Sequence, residues 1–497
     1  MQATRRAITP PGPIAAFPFY LGLLILLPLV SSGCISAHRT PNLEHIFAVA
    51  RSKTGKRPVI IIPGILGSEL INSKTGEKVW PSAFRSSDSG MPMTPDLAAN
   101  LDDLVPGEIV ETVRLARILP EVYVYRDLLE ALRHYAGYHD GNWENPGPDG
   151  DKDTFYVFAY DWRKDNVANA RELIRRIERL KEKLQRPDLR FNIVAHSMGG
   201  LIARYAAMYG DTDLPDGVDE IRPTWAGAAH INKIVMLGVP NEGSADAFAT
   251  LIEGYSITEG LRRRVPLLNK LSAEDSIRTP ALFQLLPHGG ALRFLDENLQ
   301  PIPIDIYDAE VWKRYGWSPI NQTEFRRRYA GILDDVESAH VENAKLQNLD
   351  AYLRAVLSRA RRFHQALDAV SSVDQPVILL AIGGDCEETL NSPVILRDKK
   401  NDHWLTLIRP LEYRNAAGLR MTARQVTEAM YAPGDGRVTR ASLLGEDLSR
   451  LPHVSSGTGL ALRVTYAVFG CDLHGQLQRN KTLQDNALTA IVGEAMK

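Results

Sequence analysis

Apolar positions along this chain fall into two patterns. Short runs that are apolar at nearly every position recur at 59–62, 154–160, 191–194, 232–239, 376–382 and 463–469. Runs apolar on both faces predict strands of a parallel sheet covered on both sides. Between them lie stretches with apolar residues three and four apart: 123–135 with Val124, Leu128, Leu129 and Leu132, then 166–184, 351–371 and a closing segment at 481–495. That spacing predicts amphipathic helices. The alternation predicts an α/β architecture with a mostly parallel, doubly wound sheet. Two stretches interrupt it. Residues 71–120 are rich in Ser, Pro and Gly and read as a lid loop. Residues 241–375 read as helices and loops between two core strands, the pattern of a cap over a binding site.

The strand at 191–194 leads into Ala195-His196-Ser197-Met198-Gly199-Gly200, and helical spacing resumes at Leu201. Strand, sharp turn and helix with a serine at the apex is the context of the nucleophile elbow of α/β-hydrolases. Small residues are needed two before and two after the serine, because strand and helix pass close together there. Ala195 and Gly199 meet that need, although Gly is usual at the first position. The competing reading is an ordinary Ser-Gly turn.

A serine hydroxyl needs a base within reach, an acid to orient that base, and donors for the oxyanion. In α/β-hydrolases the order is serine, acid, histidine. Of the 12 histidines, His474 is the one just past the final core strand and is the predicted base. His196 adjoins the serine, but its side chain is expected to point away from the site. Two acids compete: Asp385, straight after a strand, and Asp435, in the turn Gly434-Asp435-Gly436-Arg437-Val438. Spacing does not separate them. The Gly-punctuated loop Pro63-Gly64-Ile65-Leu66-Gly67-Ser68 is placed to supply one oxyanion N–H from Ile65, with Met198 supplying the second.

Composition narrows the partners. The chain of 497 residues is 44% hydrophobic and 24% charged with a net charge of −2, which argues against nucleic acid as a partner. Its 3 cysteines have no metal-ligand spacing, and neither a metal nor a cofactor is expected. Arg5 and Arg6 precede an apolar run from Phe17 to Val30 that ends at Ser31-Ser32-Gly33-Cys34. This is the layout of a secretory signal, with Cys34 where a bacterial lipoprotein would be acylated, although Ser31 stands where Leu is usual. The expected organisation is signal peptide and lipobox 1–34, tether 35–56, core 57–240 with the lid at about 71–120, cap 241–375 and second core part 376–497. The protein is expected to be exported and lipid-anchored to the bacterial envelope, periplasmic or outer membrane, or otherwise secreted.

Taken together, Pro63–Ser68, Tyr160-Asp161-Trp162-Arg163, the serine turn, the late Gly-Asp-Gly turn and His474-Gly475-Gln476-Leu477 resemble the lecithin:cholesterol acyltransferase family. That family includes lysosomal phospholipase A2 and phospholipid:diacylglycerol acyltransferase. The resemblance runs in segments from about 58 to 490 and is weakest in the cap. It implies an α/β-hydrolase fold and acyl transfer or hydrolysis at glycerolipid esters. It implies Asp435 as the acid, Ile65 and Met198 as oxyanion donors, and Trp80 as a lid tryptophan at the substrate. Two features depart from the family pattern. No cysteines flank Trp80, and Arg437 stands where Thr is usual, so cholesterol as acceptor is not inherited.

One expectation lies outside that resemblance. Cys386 and Cys471 follow strands that should be neighbours, and in an oxidising compartment they are expected to form a disulfide. Rival functions are a plain carboxylesterase or triacylglycerol lipase, told apart by acceptor and donor assays. A further rival is a non-catalytic lipid-binding envelope protein, against which the complete Ser-Asp-His order argues.

Overall fold

The computed structural model describes residues 40–81, 91–99, 101–114, 121–215, 221–256, 270–289, 293–331, 336–371, 373–398, 403–446 and 462–493. Cys34 and the rest of the signal segment lie outside them, as does most of the stretch 254–265, expected to be a moving part of the cap. Among the described residues, no helix is long and apolar enough to cross a membrane.

Seven strands form one parallel sheet: β1 Val59–Ile62, β2 His139–Asp140, β3 Thr154–Val157, β4 Phe191–His196, β5 Ile231–Leu237, β6 Ile378–Gly384 and β7 Val464–Gly470. Their spatial order is β7-β6-β5-β4-β1-β3-β2, and every pairing is parallel. The chain starts at β1, places β2 at the edge and β3 between it and β1, then crosses back to lay β4 against the other side of β1. Such a reversal opens a crevice at the carboxyl ends of the two strands. Ile62 at the end of β1 sits in register with Ala195 near the end of β4.

The continuous apolar strand runs are explained by two covered faces. Ile60 and Ile62 point into one core, while Val59 and Ile61 point into the other. Helices α1 (Arg126–His134) and α6 (Lys481–Val492) cover the second face through Leu128, Leu132, Leu488 and Ile491. The first face is covered by α2 (Asn166–Lys183) and α3 (Met198–Tyr209), whose Leu173, Ile177, Leu201 and Tyr205 lie in that core. All residues of α3 are buried, because the cap covers its outer side. There Tyr209 donates to the Ala366 carbonyl at 2.8 Å and Arg204 to the Leu367 carbonyl at 2.9 Å, both on α5 (Val336–Asp368).

Between β5 and β6, in the segment expected to form a cap, lie α4 (Ala245–Glu253) and the long helix α5. A four-stranded sheet runs in the order Pro301–Ile302, Phe294–Leu295, Val394–Asp398, His403–Leu407. Two of its strands come from the segment after β6. Residues 376–497 therefore do not form core alone. The antiparallel pair Val394–Asp398 and His403–Leu407 finds its apolar partner in the cap rather than in the central sheet.

The stretch read as a lid loop is also built. Ser68–Asn72 pairs with Lys78–Trp80 on one side and Leu104–Ile109 on the other, and Thr112–Arg114 pairs with Glu121–Tyr123.

Candidate active site

Ser197 follows β4 and precedes α3 with φ 53° and ψ −127°. A non-glycine residue in this region is strained and persists only where the surroundings enforce it. Here the Ser197 N–H donates to the Leu237 carbonyl of β5 at 2.8 Å, and α3 starts at the next residue. The turn also explains the small residues around it. A Cβ on Gly199 would lie 2.5 Å from the Pro63 carbonyl oxygen, and one on Gly64 would lie 2.9 Å from the Ser197 Cβ. The loop after β1 therefore packs directly against the serine.

His474 follows β7 and opens a short 3₁₀ turn, His474–Arg479. Its Nε2 lies 2.9 Å from Ser197 Oγ, and its Nδ1 lies 2.8 Å from Asp435 Oδ2. The three residues span 277 positions in sequence and are all buried, Ser197 at 8% exposure, His474 at 6% and Asp435 at 1%. Asp435 Oδ1 accepts from the backbone N–H groups of Val438 at 2.8 Å and Arg437 at 3.1 Å. The His474 N–H in turn donates to the Asp435 carbonyl at 2.8 Å. With the imidazole proton on Nδ1 facing the carboxylate, Nε2 is free to accept the serine proton.

Of the two competing acids, Asp435 is the one that meets the histidine. Asp385 instead pairs with Arg440 at 3.6 Å on a half-exposed surface. Asp435 reaches His474 because Tyr431–Gly434 pairs antiparallel with Glu387–Leu390, the strand just after β6. Arg437, at the position where the family pattern has Thr, pairs with Asp246 of α4 at 2.6 Å and lies over the Tyr255 ring at 4.3 Å. The acid turn is thereby tied to the cap.

The oxyanion candidates flank the serine. Met198 is the first residue of α3, where a helix leaves N–H groups without intrahelical partners. Ile65 lies in the loop that packs on Ser197, and among the described residues no hydrogen bond occupies its N–H. Trp80, which the family resemblance implies as a lid side chain, lies where its strand packs on the core. It is 2% exposed, packs edge-to-face on Trp162 with centroids 5.6 Å apart, and donates its indole N–H to the Leu66 carbonyl at 2.9 Å. It is drawn into the core because its strand pairs with Ser68–Asn72, which turns the indole inward.

Cys386 and Cys471 are joined by a disulfide with Cα atoms 5.2 Å apart. Cys386 sits between β6 and Glu387–Leu390, the strand that pairs with the one leading into the Asp435 turn, and Cys471 sits between β7 and His474. The bridge therefore ties the acid-bearing segment to the base-bearing one. Among the described residues, Cys386, Glu387 and Cys471 are the one group close enough to suggest a metal site. The disulfide takes both thiols, so they do not fit a metal.

The residue that pattern reading missed is Tyr125, just before α1. Its hydroxyl accepts from the Gly64 N–H at 2.8 Å and lies 2.8 Å from His196 Nδ1. His196 Nε2 reaches the His474 carbonyl at 3.2 Å. Burial, and then the neighbouring His474, push the His196 imidazole down to about 3, so it is neutral, with its proton on Nε2. The His196 ring lies beside that of His474, with centroids 4.8 Å apart, and bonds the backbone of the base. No local signal marks Tyr125, since its partners lie 61 and 71 positions away.

The lecithin:cholesterol acyltransferase family model matches residues 142–344, which take in Ser197 and Met198 and end before Asp435 and His474. Among solved structures, the Tle4-Tli4 complex aligns at 14% identity over 90% of this chain and 100% of that chain, with a TM-score of 0.49. The lipase BlEst2 of Bacillus licheniformis aligns at 11% identity over 88% of this chain and 92% of its own, with a TM-score of 0.31. EstA from Clostridium botulinum aligns at 12% identity over 89% and 88%, with a TM-score of 0.33. No curated protein sequence matches the chain significantly. A parallel sheet with a strained serine at its switch point makes the fold an α/β-hydrolase. Over residues 142–344 the chain matches the lecithin:cholesterol acyltransferase family model, which supports an esterase or acyltransferase acting on lipid esters.

Proposed function

We propose that the protein is a serine acyl hydrolase or O-acyltransferase that acts on glycerolipid or glycerophospholipid esters through an acyl-enzyme. The single observation that carries this reading is the unbroken chain from Ser197 Oγ to His474 Nε2 at 2.9 Å and from His474 Nδ1 to Asp435 at 2.8 Å. Ser197 Oγ attacks the ester carbonyl while His474 takes its proton. Asp435 orients the imidazole and stabilises its charged form. The N–H groups of Ile65 and Met198 hold the oxyanion of the tetrahedral intermediate. His474 then returns the proton to the leaving alcohol, and the acyl group stays on Ser197. Water or a lipid alcohol, deprotonated by His474, releases it.

Hydrolysis and transfer share the first half of this cycle. They are separated by incubating purified protein with acyl-labelled phospholipid, with and without a lipid alcohol, and identifying the labelled product. A new ester marks transfer and free fatty acid alone marks hydrolysis. No labelled product under either condition, with phospholipid or triacylglycerol, would refute a lipid-ester function.

Export and acylation at Cys34 belong to the same proposal, supported by the basic start, the apolar run and Ser31-Ser32-Gly33-Cys34. A lipid on Cys34 would hold the enzyme at a membrane surface beside its substrates. Incorporation of labelled fatty acid that disappears in Cys34→Ser checks it.

A further inference from the structure

Four side chains grip the loop Pro63–Ser68 by its backbone. Tyr160 donates its hydroxyl to the Pro63 carbonyl at 2.9 Å. Tyr125 accepts from the Gly64 N–H at 2.8 Å. Trp80 donates to the Leu66 carbonyl at 2.9 Å, and Trp162 donates to the Ser68 carbonyl at 3.1 Å. All four are aromatic and 1–2% exposed. They come from three separate parts of the chain: the strand after the loop, the residue before α1, and the segment after β3. Leu66 has φ 63°, a left-handed conformation that a leucine does not adopt without being held. Among the described residues, the Ile65 N–H is left without an acceptor within the loop's grip.

We propose that Tyr125, Tyr160, Trp80 and Trp162 are positioning residues for the oxyanion donor, holding the loop so that the Ile65 N–H faces the serine turn. This rests on the reading of Ser197 as nucleophile and deepens it. The motif Tyr160-Asp161-Trp162-Arg163 then has two duties. Tyr160 and Trp162 set the loop. Asp161 and Arg163 lock the motif itself, since Arg163 bonds both Asp161 at 2.8 Å and Asp102 at 2.9 Å. A buried hydroxyl or indole N–H commits a rigid ring to one hydrogen bond, so each contact fixes the loop with little residual freedom. Tyr125 adds a link to the base. The path runs from the Gly64 N–H through the Tyr125 hydroxyl to His196 Nδ1, and from His196 Nε2 to the His474 carbonyl. One buried chain thus spans the oxyanion loop and the histidine.

The test uses a matched ester and thionoester. A thiocarbonyl sulfur is a poor hydrogen-bond acceptor, so the ester-to-thionoester ratio of kcat/KM reads the oxyanion donors and cancels any change in the amount of folded enzyme. In Tyr125→Phe the ester kcat is expected to fall about tenfold or more with KM within about twofold, part of what a lost donor costs. The ratio should fall by a similar factor. Tyr160→Phe should act in the same direction and serves where Tyr125→Phe does not fold. An unchanged ratio in a folded variant, in an enzyme whose hydrolysis is abolished by Ser197→Ala, overturns the positioning role. Hydrolysis that survives Ser197→Ala overturns the nucleophile reading instead.

Discussion

The two halves of the site are held in different ways. The half proposed to supply the nucleophile and oxyanion donors stands on β4 and β1, central strands in which every residue is buried. Its loops are short and locked by hydrogen bonds to the backbone. The acid and base half stands at the flank of the sheet. His474 follows β7, an edge strand whose described residues are half-buried or exposed. Asp435 arrives after an excursion of about fifty residues beyond β6, part of which builds the cap. That half is held by a short antiparallel pairing, the Arg437–Asp246 ion pair and the Cys386–Cys471 bridge. The physical lesson is that a central strand supplies rigidity by burial on both faces. A flanking loop needs cross-links to reach comparable precision.

The sharpest probe of the first half is Ser197→Ala, which should lower kcat for ester hydrolysis by at least about a thousandfold. A smaller loss would mean that another group attacks the ester. In the second half, Asp435→Asn should be severe but about tenfold to a hundredfold milder, because the nucleophile, the imidazole and the oxyanion donors remain while only the orientation of the base is lost. Asp385→Asn should leave kcat within about twofold, and a large effect there would reassign the acid.

Removing the disulfide with Cys386→Ser and Cys471→Ser should cost about 3 kcal/mol of stability, read by denaturant unfolding. The bridge closes a separation of 85 residues and is one of three ties that hold the acid–base half. Activity at a temperature well below Tm should therefore fall in the variant, while labelling of Ser197 by its own nucleophile-directed probe should fall no further than activity does. Unaltered activity and stability would show that the flank needs no cross-link.

The smallest effect expected is with pH. Burial holds His196 down at about 3 and His230 at about 4, the latter also through Lys181, and burial keeps His364 well below its ordinary value, helped by His288. The unfolded chain takes up these protons near pH 6.5. Between that pH and about 4 the unfolded state binds more protons, so stability falls as pH drops through this window. Tm measured from pH 7 to pH 4.5 should decline, and less steeply in His364→Gln. A flat profile would contradict the neutral, buried state of these rings.

Much of the first half was legible in the sequence because its determinants are local. The strand before Ser197, the small residues beside it and the helix after it lie within about a dozen positions, and they carry their own spacing. The same holds for β1 and the glycine loop after it. The second half was legible in part. His474 stood out by its place after the last strand, but Asp385 and Asp435 were equivalent by spacing, and only the resemblance to a family preferred one. The fold separates them through a pairing of Glu387–Leu390 with Tyr431–Gly434, which depends on partners some forty residues apart. Trp80 shows the opposite limit. The family resemblance implied a lid side chain, its own sequence context favoured a packed tryptophan, and the pairing of its strand turns the indole inward.

By itself, then, the order of residues determined the layered α/β architecture, the serine turn and the candidate base, since each depends on periodicity or on neighbours along the chain. Tertiary structure alone decided which acid meets His474, that one four-stranded sheet draws on two segments, and that Tyr125 and three other aromatic rings hold the loop Pro63–Ser68. Those outcomes depend on contacts made across 14 to 97 positions for the loop and up to 277 for the serine and histidine. Backbone groups of a loop accept whichever buried donor the packing brings to them, and no local pattern encodes which one that will be.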